Sequence, residues 1–371
     1  MGQIITTTLV TTALSALFAL ILAIADKYLN DYGEVKVLIN KEEELVVDGG
    51  STLLSTLVGE KIFIPSACGG KGTCGYCKCK VIDGAGPILA TEKPWLTEEE
   101  QADNVRLSCQ VKVKNDIEIE IPEELFNVKE YEATVDEKEM LTDRIVKLRL
   151  ALPEDETINF KPGQFIQLLT KPYKGGEDFE GSDEEVFRAY SIASSIKDNK
   201  HIELLVGYTK GICTTYVHKI LEIGDKVKLN GPHGDFFYED DENDEIIMGA
   251  TGTGFAPIRS ILYHMLDHDI KKKTRFYFGS RTQNDLFLLD ELKMFEEKLY
   301  DFKFMPVLSR EGEAEGWNGD TGYINDSIKK YVDENKTYTA YLCGSPKVIA
   351  GVKADLLDKG LKEEFIKFDE F

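Results

Sequence analysis

The sequence predicts a multi-domain fold: an N-terminal transmembrane helix, an α+β domain, an antiparallel β-barrel and an α/β domain. Three observations predict it. Residues Ile4 to Ala25 carry no charge, and four cysteines gather on and after a glycine-rich loop. The apolar period then changes along the chain, becoming strand-like after Tyr131 and alternating between strand and helix after Glu245. At 371 residues the chain can build two or three domains, each with its own core. A formal net charge of -22, with no basic stripe interleaved with aromatics, excludes nucleic acid as a partner, because counterion release would oppose binding.

The uncharged run IITTTLVTTALSALFALILAIA, at about 1.5 Å per residue, spans roughly 30 Å as a helix, the thickness of a bilayer's hydrocarbon core. It predicts a single-pass anchor within residues 1–28. A cleaved signal peptide would carry a basic leading region, which is missing here. Flanking charge says little about orientation, since Lys27 is offset by Asp26 and Asp31.

Residues 33–128 form the second expected domain. Val35 to Ile39 and Leu45 to Val47 are β-rich runs, followed by an apolar-periodic helix from Thr52 to Val58. Cys68, Cys74 and Cys77 then follow the spacing C-x5-C-x2-C, with Cys109 standing beyond 31 intervening residues. That is one residue wider than the plant-type spacing for a [2Fe-2S] cluster. Gly69, Gly70, Gly72 and Gly75 let the backbone curl and aim N–H groups at sulfur. A structural zinc site would show two close pairs instead. A disulfide framework suits neither the length nor the composition of the chain. Cys79 falls on the core side of a strand, as a buried thiol. Val111 to Val113 and Ile117 to Ile121 alternate as strands should, and Pro122 closes the domain. Hairpin, helix, then cysteine loop is the order of a β-grasp ferredoxin.

Residues 129–238 hold six expected strands: Tyr131 to Val135, Ile145 to Leu152, Phe165 to Leu169, Ala189 to Ala193, Ile202 to Val206 and Lys226 to Leu229. Their spacing suggests a small barrel, interrupted by an exposed, mobile insertion from Lys174 to Glu185. In residues 239–371, Ile246 to Met248 runs into Thr251-Gly252-Thr253-Gly254-Phe255-Ala256-Pro257, a helix from Ile258 to Met265 and a strand from Arg275 to Phe278. Strand, glycine turn, helix and strand make a nucleotide-binding βαβ unit. Further strands at Lys303 to Leu308 and Thr339 to Leu342, and helices near Leu286 to Tyr300 and Lys347 to Asp358, extend it. The five histidines are scattered and fit packing better than ligation.

Arg188-Ala-Tyr190-Ser191 and Gly211-Ile-Cys213-Thr214 resemble the two flavin motifs of ferredoxin-NADP reductase-like enzymes. The resemblance implies FAD, with Arg188 on its diphosphate, Tyr190 over the flavin or ribityl region and Ser191 near the flavin edge. Gly211, Cys213 and Thr214 would offer small side chains and N–H groups to the diphosphate. The turn holding Gly252, Thr253, Gly254 and Pro257 resembles that family's nicotinamide nucleotide loop. Ser280 and Arg281 match its adenosine side, and Cys343-Gly344 the turn where nicotinamide meets flavin. By the same resemblance Cys343, Ser191 and the terminal Phe371 would flank the reacting rings.

The order anchor, ferredoxin, flavin barrel, nucleotide domain is narrower still. It resembles the NADH-oxidising subunit family of sodium-translocating NADH:quinone oxidoreductases, over essentially the whole chain. This implies electron flow from NADH to FAD, to a [2Fe-2S] cluster at Cys68, Cys74, Cys77 and Cys109, and on to other integral membrane subunits. It also implies a place in the cell's inner membrane, with the domains facing the cytoplasm. FAD is needed between the two because a hydride carries two electrons and the cluster accepts one. The competing readings are the reductase component of an oxygenase, a ferredoxin-NAD(P) reductase, and a non-catalytic iron–sulfur scaffold. The intact flavin and nucleotide motifs argue against the last of these.

Overall fold

The computed structural model describes residues 8–20, 32–122, 125, 128–243, 245–310, 317–334 and 336–370. Residues 8–20 are helical (α1) and expose apolar side chains such as Leu9, Leu14 and Phe18. The Thr11 and Thr12 hydroxyls donate back to the Thr8 carbonyl at 3.0 and 2.8 Å, a local bond that threonine makes inside a helix. Among the described residues no helix is long and apolar enough to cross a membrane. Both ends of the expected span, 4–7 and 21–25, lie outside the described residues.

The chain divides into two compact units, Met1–Val128 and Lys129–Phe371. In the first, a five-stranded sheet has the order β2-β1-β5-β3-β4. Its strands are β1 (Glu34–Ile39), β2 (Glu43–Asp48), β3 (Lys78–Asp83), β4 (Val105–Leu107) and β5 (Ile117–Glu120). Along β1 every second residue, Val35, Val37 and Ile39, is buried, as a one-sided sheet requires. Helix α2 (Leu53–Gly59) buries Leu53, Leu54 and Leu57, and the Thr52 side chain caps it by accepting from the Ser55 N–H. A short helix α3 (Glu98–Ala102) precedes β4. The expected strand at Val111 to Val113 is a single bridge, Thr52 to Lys112. Its backbone partners are Ser51 and Leu53, at the start of α2, and a helix start cannot continue a ladder.

In the second unit, a six-stranded antiparallel sheet runs β10-β7-β6-β11-β8-β9. It comprises β6 (Lys129–Met140), β7 (Ile145–Ala151), β8 (Phe165–Thr170), β9 (Val186–Ser191), β10 (His201–Gly207) and β11 (Lys226–His233). A bridge from Ile192 to Leu204 and a 2.8 Å bond from the Ala193 N–H to the Glu203 carbonyl join its two edges and close the barrel. One barrel strand is longer than the sequence suggested: β6 has 12 residues because a bulge near Val135 lets it bend and keep pairing. A single turn, α4 (Ile212–Thr215), follows β10. The insertion after β8 pairs with itself, Tyr173 bridging Ser182.

The rest of this unit is a six-stranded sheet, β15-β14-β13-β12-β16-β17, whose pairings are all parallel. It is built from β12 (Glu245–Thr251), β13 (Lys273–Ser280), β14 (Phe302–Leu308), β15 (Asp320–Thr321), β16 (Tyr338–Gly344) and β17 (Ile366–Glu370). The connecting helices are α5 (Phe255–Asp267), α6 (Leu289–Lys298), α7 (Ile324–Tyr331) and α8 (Pro346–Asp358). Because β12 lies between β13 and β16, the strand order reverses there, and the C-terminal ends of β12 and β16 open a crevice.

Arg259 of α5 ties this layer to the barrel. It is 4% exposed, and its guanidinium forks onto Glu291 of α6 at 2.6 and 2.9 Å. One nitrogen also reaches Glu203 of β10 at 2.6 Å and the Ala193 carbonyl at 2.8 Å. Removing one member of such a buried network costs about 3–5 kcal/mol, because the remaining charges stay unpaired. Arg259→Ala is therefore expected to lower the unfolding free energy by about 3 kcal/mol, the low end of that range, because both carboxylates keep some contact with water. Urea denaturation of the Lys129–Phe371 unit within the full chain measures this, and a loss under about 1 kcal/mol would mean the clamp is not structural.

Candidate functional site

The cysteine loop has no regular element, and Gly69, Gly70, Gly72 and Gly75 all adopt positive φ, from 63° to 83°. At Gly72 a Cβ would come within 2.6 Å of the Gln110 amide, a side-chain end that can move aside, so the positive φ rather than space calls for glycine. The loop brings the sulfurs together in two pairs. The Cys74 thiol donates to the Cys68 sulfur at 3.4 Å, and Cys77 makes the corresponding thiol contact with Cys109. The Cys74 hydrogen bond, joined by the Thr73 N–H and hydroxyl and the Lys71 N–H, holds the Cys68 thiol down at about 4 against the effect of burial. The Cys77 thiol, with the Gln110 amide and the Gly72 N–H, holds Cys109 at about 7. Their partners Cys74 and Cys77 are pushed up, because each keeps the shared proton.

Two pairs of thiolates suit two irons, each taking two sulfurs, and so fit a [2Fe-2S] cluster. A lone tetrahedral ion needs its donors to converge on one point. Among the described residues no group of three or more His, Cys, Asp or Glu does so. Cys79 lies on β3, is 4% exposed, and burial pushes its thiol up to about 12.

Arg188, Tyr190 and Ser191 sit on β9, and Gly211, Cys213 and Thr214 form the turn of α4 packed beside it. The Tyr190 hydroxyl donates a hydrogen bond to the Cys213 sulfur. Burial, then the Cys213 thiol, raise the Tyr190 hydroxyl well above its usual range, while Arg188 draws it back. Thr214 donates to the Gly211 carbonyl at 3.1 Å and accepts from the Thr209 N–H at 3.3 Å, which fixes the turn. The Arg188 guanidinium donates to the Phe187 carbonyl and forms no salt bridge among the described residues.

At the crevice is a cleft of ≈ 590 Å³. Gly252, Thr253, Ser280, Arg281 and Gly344 line it. The glycines divide the work. Gly252 has φ +53° and a Cβ there would meet nothing within 4 Å, which leaves room for a ligand, whereas a Cβ at Gly254 would lie 2.2 Å from the Cys343 carbonyl. Gly254 thus serves helix-to-strand packing rather than ligand approach. Pro257 is buried in the first turn of α5. Cys343 is fully buried, which raises its thiol well above the usual value, and the cleft wall is its neighbour Gly344. Phe371 lies outside the described residues. The barrel side of the cleft, Thr142, Arg144 and Tyr208, and the far wall, Asp285, Ser309 and Tyr323, belong to no motif. They come from turns far apart in sequence, and no local signal could have found them.

Comparison with known proteins assigns the parts. Residues 37–114 match a 2Fe-2S iron-sulfur cluster binding domain, 132–238 an oxidoreductase FAD-binding domain and 248–354 an oxidoreductase NAD-binding domain. Among solved structures, an Amycolatopsis cytochrome P450 reductase shares the fold with a TM-score of 0.70 and 25% identity, covering 91% of this chain and 98% of that one. A ferredoxin reductase of carbazole 1,9a-dioxygenase, at 22% identity, TM-score 0.68 and the same coverage, shares the fold alone. The F subunit of the Na(+)-translocating NADH-quinone reductase of Marinomonas sp. (strain MWYL1) is 34% identical over 391 residues, 96% of this chain and 95% of its own. That of Idiomarina loihiensis (strain ATCC BAA-735 / DSM 15497 / L2-TR) is 34% identical over 388 residues, 95% of each. With a cradle for a two-iron cluster and domains for FAD and NAD in one chain, this oxidoreductase moves electrons from NADH through FAD to the iron-sulfur centre, and it belongs to the family of F subunits of the Na(+)-translocating NADH-quinone reductase.

Proposed function

We propose that this chain is the NADH-oxidising subunit of a membrane-bound, sodium-pumping NADH:quinone reductase, and that its cluster passes electrons to integral membrane partners. The observation that carries this is the end-to-end match to the F subunits of that reductase, over 96% of the chain. Residues 1–28 would be the anchor, in a cell inner membrane with the body facing the cytoplasm, where NADH is found. The exposed apolar side chains of α1 support that reading. The fold shared with the P450 reductase favours a second reading, the reductase component of an oxygenase. The uncharged run from Ile4 to Ala25 counts against it.

FAD, when bound, supplies the step between the two-electron hydride of NADH and the single electrons the cluster accepts. In this reading the ferredoxin part is residues 33–128, the FAD part 129–238 and the NADH part 239–371. Cys68 and Cys74 hold one iron, and Cys77 and Cys109 the other. Arg188 pairs with the FAD diphosphate, next to the small residues Gly211, Cys213 and Thr214. Tyr190 packs on the flavin and Ser191 offers its hydroxyl at the flavin edge. Gly252, Thr253 and Gly344 seat NADH, with Gly254 and Pro257 shaping the turn beneath and Ser280 and Arg281 toward adenosine. Cys343 borders the nicotinamide, and Phe371 shields the flavin face.

The full chain is expected to stay with membranes through a carbonate wash, while a variant lacking residues 1–26 is released. Release of the full chain as well would favour the oxygenase reading. Cys109→Ala is expected to abolish the cluster's electron paramagnetic resonance signal and leave NADH-driven flavin reduction intact, because the flavin motifs belong to the other compact unit. Cys343→Ala is expected to slow anaerobic stopped-flow flavin reduction about tenfold, about 1.4 kcal/mol of barrier, with FAD content unchanged. Reduction at the wild-type rate would reduce Cys343 to a packing residue.

A further inference from the structure

The chain has eight arginines. Four hold acidic partners: Arg106 with Glu92, Arg149 with Asp136 and Asp198, Arg259 with Glu203 and Glu291, and Arg275 with Asp301. Arg144, Arg188, Arg281 and Arg310 form no salt bridge among the described residues. In a chain of net charge -22, a guanidinium with no carboxylate partner among the described residues stands out, because acids outnumber bases. Arg188 belongs to the flavin motif, and Arg281 lines the nucleotide cleft. Arg144 lines the same cleft from its barrel side, on the turn between β6 and β7, and belongs to neither motif.

The turn that carries Arg144 is held in place by its backbone, not by its charge. The Thr142 hydroxyl oxygen accepts from the N–H groups of Arg144 and Ile145 at 3.2 and 3.0 Å, and the Leu141 N–H donates to the Ile145 carbonyl at 2.9 Å. The Arg144 carbonyl accepts from the Tyr208 N–H at 2.7 Å. The residue before Tyr208, Gly207, is where the barrel meets the glycine turn, for a Cβ there would lie 3.3 Å from the Thr253 methyl. Arg144 is therefore anchored one residue from the junction with Gly252 and Thr253, with its side chain exposed. Among the described residues the one carboxylate in the cleft lining, Asp285, is engaged with the Thr282 N–H and hydroxyl at 3.0 and 2.9 Å. Two guanidiniums and an open glycine turn make the cleft a receptor for an anion with more than one charged oxygen.

We propose that Arg144 binds the diphosphate of NADH from the barrel side of the cleft, facing the Gly252 turn. Guanidinium and phosphate oxygens match as a two-pronged pair, which a lysine's point charge reproduces only in part. This rests on reading the cleft as the NADH site. The pairing also gives the barrel a direct hold on the nucleotide, so that hydride donor and flavin domain are positioned through one ligand.

The test uses the full-length, FAD-loaded protein and ADP-ribose, which carries the diphosphate but no nicotinamide. Arg144→Gln is expected to weaken ADP-ribose binding about tenfold, the scale of one hydrogen bond to a charged group, and to flatten its dependence on salt. Arg144→Lys is expected to fall between the two. FAD content and the flavin absorption spectrum report that each variant is folded. Unchanged affinity in Arg144→Gln overturns the proposal. So does an equal loss in both variants with the wild-type salt dependence, which would mark a packing effect of the turn. If the wild-type protein itself fails to bind ADP-ribose, the cleft is not the NADH site, and the failure lies with that reading rather than with Arg144.

Discussion

The arrangement of the second unit depends on one buried guanidinium. Arg259 loses its water on folding, a cost of several kcal/mol that only close, multiple pairing offsets. It is met by two carboxylates and a carbonyl from three different segments: Glu291 on α6, Glu203 on β10 and Ala193 just after β9. The neighbouring Ser260 hydroxyl adds a 2.8 Å bond to the Ser194 carbonyl. Helix α5 is thus fixed to the barrel edge near the end of β9, and the glycine turn that opens the cleft directly precedes α5. Moving the clamp would move the cleft relative to β9, the strand that carries Arg188, Tyr190 and Ser191.

The first unit uses the same device. Arg106 and Glu92 are 3% and 0% exposed and joined at 2.6 and 2.9 Å. The other bonds matter as much. Glu92 also accepts from the Leu107 and Leu89 N–H groups, and Arg106 donates to the Gly86 and Pro87 carbonyls. Every charge is satisfied, so the loop before α3 is bound to β4. That strand leads to Cys109, whose sulfur must meet Cys77 across 31 intervening residues. A short-range cysteine loop can shape itself through its glycines, but the fourth sulfur is placed by the fold, and this pair is part of how.

Electrostatics therefore works on two scales. The large net negative charge keeps the exterior acidic, and its solvated pairs each contribute little. Interior positions use Arg106 and Arg259 as braces enclosed by acids, while Arg144 and Arg281 line the cleft without a salt bridge among the described residues. In the cysteine loop the same logic appears as shared protons: backbone N–H groups aimed at Cys68 and Cys109 favour the thiolate in each pair, the form that binds iron.

The sequence alone determined whatever rests on neighbours in the chain. Cysteine spacing, the Arg188 to Ser191 segment, the Gly252 to Gly254 turn and the changes of apolar period were all legible, because loop curvature and strand or helix periodicity are local properties. Helix α7 was not, since its buried side rests on Ile324 and Ile328 among charged residues. Strand β17, Ile-Lys-Phe-Asp-Glu, was not either, because a strand at the sheet's end is held by backbone pairing to β16 rather than by an apolar pattern. Within the site, tertiary structure decided which glycine leaves room for a ligand and which yields to the Cys343 carbonyl, how the four sulfurs pair, and that Cys343 lies beneath the cleft wall. It also lined the cleft with Arg144, Tyr208 and Tyr323, residues that only long-range strand pairing and the closure of the barrel bring to one place.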